Sequence, residues 1–224
     1  MTRPIILICM LLSVVIAASD TAGQEKEITG SEFWDYMRRS MEATKEKSYR
    51  AKVIIQHSDT PDGAWTLYSS WACDYVFPDR SHLLYTHGSH RELVSIGRTN
   101  FTREPGRPWV RSEREIRNSV STAAGFFGFG PSARFLLIES ESFNGAQATL
   151  IRVITRADHV KDKTKDTRTS NYWLDENWAL IGNELIAFNE SCACGLPQWQ
   201  RRFETYEYST DIRVEAPMNY SPKG

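Results

Sequence analysis

From Trp65 to Phe77 the chain alternates at every second residue. Trp65, Leu67, Ser69, Trp71, Cys73, Tyr75 and Phe77 form one set, and Thr66, Tyr68, Ser70, Ala72, Asp74 and Val76 the other. A period of two marks a β-strand and puts each set on its own face. Such a run spans about 43 Å at ~3.3 Å per residue, roughly twice the usual strand. A strand this long, aromatic on one side, predicts a strongly curved sheet around something apolar. On that reading Trp65, Leu67, Trp71, Tyr75 and Phe77 line a cavity or fill a core.

The flanking segments predict what that strand packs against. Residues Asp20–Ile28 are small and charged and read as a flexible lead-in. Thr29-Gly30-Ser31-Glu32 has capping-box spacing, and Phe33, Trp34, Met37 and Met41 follow at helical spacing, predicting an amphipathic helix over Ser31–Lys47. Its apolar face is either core or, through the adaptable methionines, the wall of a lipid pocket. From Tyr49 the period returns to two. Turn residues at Asp59–Gly63, Pro78-Asp79, His87–His90 and Gly97-Arg98 separate short strands, so the order is an antiparallel meander.

Asn144-Gly145 is a strong hairpin signal, joining Phe135–Phe143 at least in part to Ala148–Thr155. Ser132–Ile138 is also readable as a short helix. Tyr172–Asp175 and Ala179–Phe188 form another hairpin, and Gln198–Tyr208 and Asp211–Val214 finish the sheet. Phe126, Phe127 and Phe129 sit among glycines in Gly125–Pro131, a composition for a tucked segment or an apolar flap, not a regular element. The mixed charges of Asp158–Arg168 read as a solvated loop.

Composition narrows the function. Arg3 and the apolar run Ile5–Ile16, followed by Ala17-Ala18-Ser19, read as a secretory signal peptide over residues 1–19, leaving 20–224 as a single domain. The expected location is periplasmic or extracellular. A formal net charge of −1 gives no electrostatic case for nucleic acid. Cys73, Cys192 and Cys194 remain after cleavage, and export makes a disulfide plausible, either within Cys192–Cys194 or from that loop to Cys73. The Cys-x-Cys spacing lacks the paired partners of a zinc site, and His87 and His90 read as solvated turn residues, so no metal is expected. There is no Gly-x-Ser-x-Gly elbow and no phosphate-binding glycine motif, and no pair of carboxylates stands out. No catalytic residue or cofactor is expected.

Several short motifs carry a family resemblance. After the amphipathic helix come Ser48-Tyr49-Arg50-Ala51-Lys52-Val53, a long strand ending in Asp74-Tyr75-Val76-Phe77-Pro78-Asp79-Arg80, and Glu92–Gly97 with a following Trp109. Tyr172-Trp173-Leu174-Asp175 and Tyr206-Glu207-Tyr208 follow later. In element order and motifs the chain resembles the LolA/LolB-like lipoprotein-carrier superfamily of the bacterial envelope. The resemblance implies an α+β fold, a single curved antiparallel sheet in an unclosed half-barrel, with helices covering the concave face. It also implies an apolar cavity for acyl chains and no catalysis.

The expected function is therefore an exported, non-enzymatic binding protein for lipid or a lipidated protein, a carrier in the envelope. The expected ligand-binding set is Phe33, Met37, Met41, Trp65, Leu67, Trp71, Tyr75, Phe77, Phe126, Phe127 and Phe129. The alternative is an envelope sensing or interaction domain on the same scaffold, with a filled core and a protein partner. An exported hydrolase is a third reading.

Overall fold

The structure, a computed structural model, describes residues 24–88, 90–113, 132–156, 167–189 and 198–222. The signal-like segment, most of the Asp158–Arg168 run, Phe126, Phe127, Phe129, Cys192 and Cys194 lie outside the described residues. The chain begins with β1 (Glu25–Ile28), α1 (Gly30–Thr44), β2 (Tyr49–Ser58), β3 (Thr66–Val76), β4 (Arg80–His87), β5 (Glu92–Ile96), β6 (Thr99–Arg103) and β7 (Trp109–Ser112). It continues with β8 (Arg134–Phe143), β9 (Ala146–Arg156), β10 (Thr167–Leu174), β11 (Leu180–Asn189), β12 (Gln198–Tyr208) and β13 (Tyr220–Pro222).

Among the described residues, 13 strands form one sheet, ordered β1-β8-β9-β10-β11-β12-β2-β3-β4-β5-β6-β7-β13. The outermost strands, β1 and β13, do not pair with each other, so the sheet is open, consistent with a half-barrel. Every pairing is antiparallel except β13 on β7, which is parallel.

Among the described residues α1 is the one helix. The capping box forms as its sequence requires: the Glu32 amide donates to Thr29 Oγ1 at 3.2 Å, and the Thr29 amide donates to Glu32 Oε2 at 2.7 Å. The Phe33 ring stacks on Phe135 of β8 at 4.8 Å. Beneath it lies the main core of Phe33, Met37, Ala51, Cys73, Leu137, Ile151, Val153, Tyr172, Leu174 and Tyr206. This fixes one face of the sheet as the helix side. Trp34 and Met41 point away from it and are exposed.

The opposite face has its own clusters. Phe143, Trp173 and Phe203 pack around Gly182, and a side chain there would sit 2.2 Å from the Phe143 ring, so only glycine leaves room. Phe188 and Trp199 form a second cluster with Trp65 and Ile186. Val94 and Phe101 pack with Val214 in a third.

Four expectations change. Residues 132–138 are not a helix: Arg134 onward is β8, because the continuous apolar run Phe135–Ile138 serves both faces of a central strand. Glu25–Ile28 is not a loose lead-in but the edge strand β1, charged along its exposed length as edge strands tend to be. Asp211–Val214 stays outside the sheet, and Val214 instead folds over the face opposite α1, while Tyr220–Pro222 supplies the last strand. The helices expected over the concave face are represented among the described residues by α1 alone.

Candidate functional site

Residues opposite one another in neighbouring strands share a face, so register maps the helix side row by row. One row runs Tyr172, Asn183, Glu204, Val53, Trp71, Tyr85 across β10, β11, β12, β2, β3 and β4. The next runs Tyr206, Ala51, Cys73, Leu83, Leu93, Thr102, and the third Tyr208, Tyr49, Tyr75, Ser81, Ser95, Asn100. The core beneath α1 extends along this face from β8 to Ala51 of β2 and Cys73 of β3. Beyond the main core, on β3 to β5, Trp71, Leu83, Tyr85 and Leu93 are half-buried and form an apolar strip. The Trp71 and Tyr85 rings lie 5.5 Å apart.

The strip borders two electrostatically different regions. Toward β12, Glu204 is buried and accepts hydrogen bonds from Arg202 Nε and the Tyr206 hydroxyl. The Arg202 guanidinium lies 5.9 Å from the Trp71 ring centroid, within cation–π range. Burial and the neighbouring Glu204 carboxylate push the Tyr206 phenol well above its usual range, so it stays a donor. Toward β7, no helix-side residue of β4, β5, β6 or β7 is charged: the positions are Ser81, Leu83, Tyr85, Leu93, Ser95, Asn100, Thr102, Val110 and Ser112. Ser95 Oγ and Asn100 Nδ2 are buried there without a hydrogen-bond partner.

The expected site residues separate. Phe33 and Met37 are fully buried beneath α1 and belong to the core, whereas Met41 is half-exposed on the helix. Trp71 and Tyr75 lie on the helix-side face with Cys73. Trp65 and Leu67 do not share it. Ser69 opposes Ile55 and Leu67 opposes Gln56, so Tyr68 is an inserted bulge residue. One extra residue exchanges the faces, which sends Trp65 to the Phe188–Trp199 cluster and leaves Leu67 exposed. Phe77 lies past the strand, 44% exposed, its amide donating to Ser48 Oγ.

The sequence reading missed Leu83, Tyr85, Leu93 and the Arg202–Glu204–Tyr206 relay. The period-two stripe Gln200, Arg202, Glu204, Tyr206, Tyr208, with charge giving way to aromatics, is the signal that marks the relay.

Cys73 is a free thiol, 1% exposed, and burial pushes its pKa up to about 12. The Cys73 branch of the expected disulfide is therefore not formed; Ala51 and Leu83 flank the thiol across the sheet and hold it in the core. With Cys192 and Cys194 both replaced by serine, Cys73 in the mature chain is expected to resist thiol reagents in the native state and to react stoichiometrically in denaturant, a titration that reads directly. Fast native labelling would contradict the burial.

Two surface cavities adjoin these rows, the first at Tyr85 and the second at Tyr208. One of about 410 Å³ is bounded by Leu84, Tyr85, His90, Glu92 and the 103–107 turn. Burial alone would raise the Glu92 pKa, but hydrogen bonds from Arg103 and His82 outweigh it and hold the carboxyl below its usual range. The other, about 530 Å³, lies after α1 among Glu46, Lys47, Ser48 and Tyr208–Thr210. Among the described residues no group of histidine, cysteine and carboxylate side chains is arranged to hold a metal.

No family model and no curated protein matches the chain. Solved structures similar in shape include lipoprotein LppX from Mycobacterium tuberculosis, with a TM-score of 0.46 and 13% identity over 84% of this chain and 100% of that one. Another is a LolA superfamily protein from Nitrosomonas europaea, with a TM-score of 0.31 and 12% identity over 82% of this chain and 94% of that one. A third is a DUF1329 family protein from Desulfovibrio piger, with a TM-score of 0.29 and 10% identity over 82% of this chain and 94% of that one.

Proposed function

We propose that the protein is an exported, non-enzymatic carrier that holds an apolar ligand, a lipid or the acyl chain of a lipidated protein, on the helix-side face of its sheet. The observation that carries this reading is the strip of Trp71, Leu83, Tyr85 and Leu93, half-buried beside the core under α1 and free of charge. Burial of an acyl chain gains about 0.8 kcal/mol per methylene, so a ten-carbon chain laid on such a strip supplies several kcal/mol.

The direct test is native mass spectrometry and organic extraction of gently purified protein, followed by titration with a fluorescent fatty acid. A co-purifying lipid, or saturable binding in the micromolar range, is expected. Absence of both would remove the proposal. A second reading, an envelope sensing or interaction domain, is favoured by the complete burial of Phe33 and Met37, which fills the space beneath α1. One stable protein partner recovered from envelope extract, with no lipid bound, would select it.

A further inference from the structure

The carrier reading makes no use of the cavity of about 410 Å³ at one end of β4, β5 and β6. A volume of that size suits a small molecule. Register on the face opposite α1 supplies its base: Leu84 of β4 stands opposite Glu92 of β5, and Glu92 opposite Arg103 of β6. The Glu92 carboxylate is already engaged there. His82 Nε2 meets its Oε1 at 2.8 Å, Arg103 Nε donates to its Oε2 at 3.0 Å, and the Arg103 guanidinium lies 4.7 Å from the Trp109 ring centroid. Glu92 and Arg103 offset each other's charge and hold each other in place, which gives the cavity a rigid base.

The rim is different. Glu104-Pro105-Gly106-Arg107 is a tight turn in which the Arg107 amide donates to the Glu104 carbonyl at 3.0 Å. Proline fixes φ at the second position, and Gly106 takes the positive φ, 70°, that the third position of a type II turn requires. The turn is therefore stiff, and it carries a carboxylate and a guanidinium on backbone positions less than ~7 Å apart. Both side chains border the cavity and are exposed, and among the described residues neither has an ion-pair partner, the other included. His90 closes the rim from the β4–β5 turn, and Leu84, 41% exposed, adds an apolar wall. A lone anion or a lone cation placed here would meet a like charge. A molecule with both charges and an apolar side chain meets all three groups favourably.

We infer that this cavity binds a zwitterionic, apolar amino acid of the leucine kind, its carboxylate on Arg107, its ammonium on Glu104 and its side chain against Leu84. The two charged groups of an amino acid leave the same carbon, so two side chains on one turn reach both. The site shares only Tyr85 with the helix-side strip and does not depend on the carrier reading.

The test is a ligand-observed NMR titration of the mature full-length chain with L-leucine and two analogues: 4-methylpentanoate, which lacks the ammonium, and 3-methylbutylamine, which lacks the carboxylate. Leucine is expected to bind at least about tenfold more tightly than either analogue, because each forfeits a charge-assisted hydrogen bond. Arg107→Gln is expected to weaken leucine about tenfold and erase its advantage over the amine. Glu104→Gln is expected to weaken it equally and erase its advantage over the carboxylate. Both residues are exposed, so neither substitution should lower the melting temperature appreciably. No leucine binding in the millimolar range, equal affinity for leucine and either analogue, or preferences that survive both substitutions would each overturn the inference. Lipid binding is measured separately, so each of these outcomes leaves the carrier reading standing.

Discussion

Trp71→Glu is expected to leave a folded protein that no longer holds an apolar ligand. Trp71 is half-buried, at the junction of the apolar strip with the Arg202–Glu204–Tyr206 relay, and packs on Tyr85 at 5.5 Å without entering the core beneath α1. Loss of its ring removes roughly 2 kcal/mol of ligand contact, and desolvating the new carboxylate costs more, so affinity should fall by about a hundredfold or beyond. Arg202 is close enough to compensate the new charge in the free protein, which limits the effect on stability. Fluorescent-ligand titration beside circular dichroism separates the two effects. A variant that unfolds would show Trp71 to be ordinary core, and one that binds as wild type does would put the ligand elsewhere.

The second large effect concerns the core. Phe33 has no exposed surface and touches both Phe135 and Tyr172, with ring centroids at 4.8 and 6.3 Å. Phe33→Ala is expected to cost about 3–5 kcal/mol, from lost transfer energy plus the cavity left between α1 and the sheet. For a chain of this size that lowers the melting temperature by roughly 10 °C. Met41→Ala, eight residues further along the same helix and 50% exposed, should change it little. Equal effects at the two positions would contradict the way α1 faces the sheet.

These two residues also show what sequence can and cannot convey. Phe33 and Met37 were legible as core-facing from helical spacing, but the same spacing also put Trp34 and Met41 on that face, and both are exposed because the buried stripe is narrower than the apolar one. The hairpins were legible because Asn144-Gly145, with positive φ at both residues, admits little else. Trp65 was not legible. Its face depends on one inserted residue at Tyr68, and an aromatic phenol fits either face, so the alternation runs through the bulge without a visible break. β1 was hidden for another reason: Glu25, Lys26 and Glu27 give no apolar period, and their place is set by pairing with residues more than a hundred positions away. The juxtaposition of Ser95 and Asn100 needed register as well. Nothing local says that Ser81, Ser95 and Asn100 stand side by side; three separate strands supply them.

The placement of the sheet's two outermost strands has a consequence for self-association. An open sheet presents two rows of unsatisfied backbone groups, and each would recruit a second copy edge to edge if left bare. Here β1, only four residues long and mostly charged, guards one side. On the other, three residues of β13 run parallel to β7 and end in Pro222, which has no amide hydrogen to offer. Among the described residues the two open edges of the sheet are thus held by a charged strand and a proline-ended strand, which disfavours edge-to-edge pairing with a second copy.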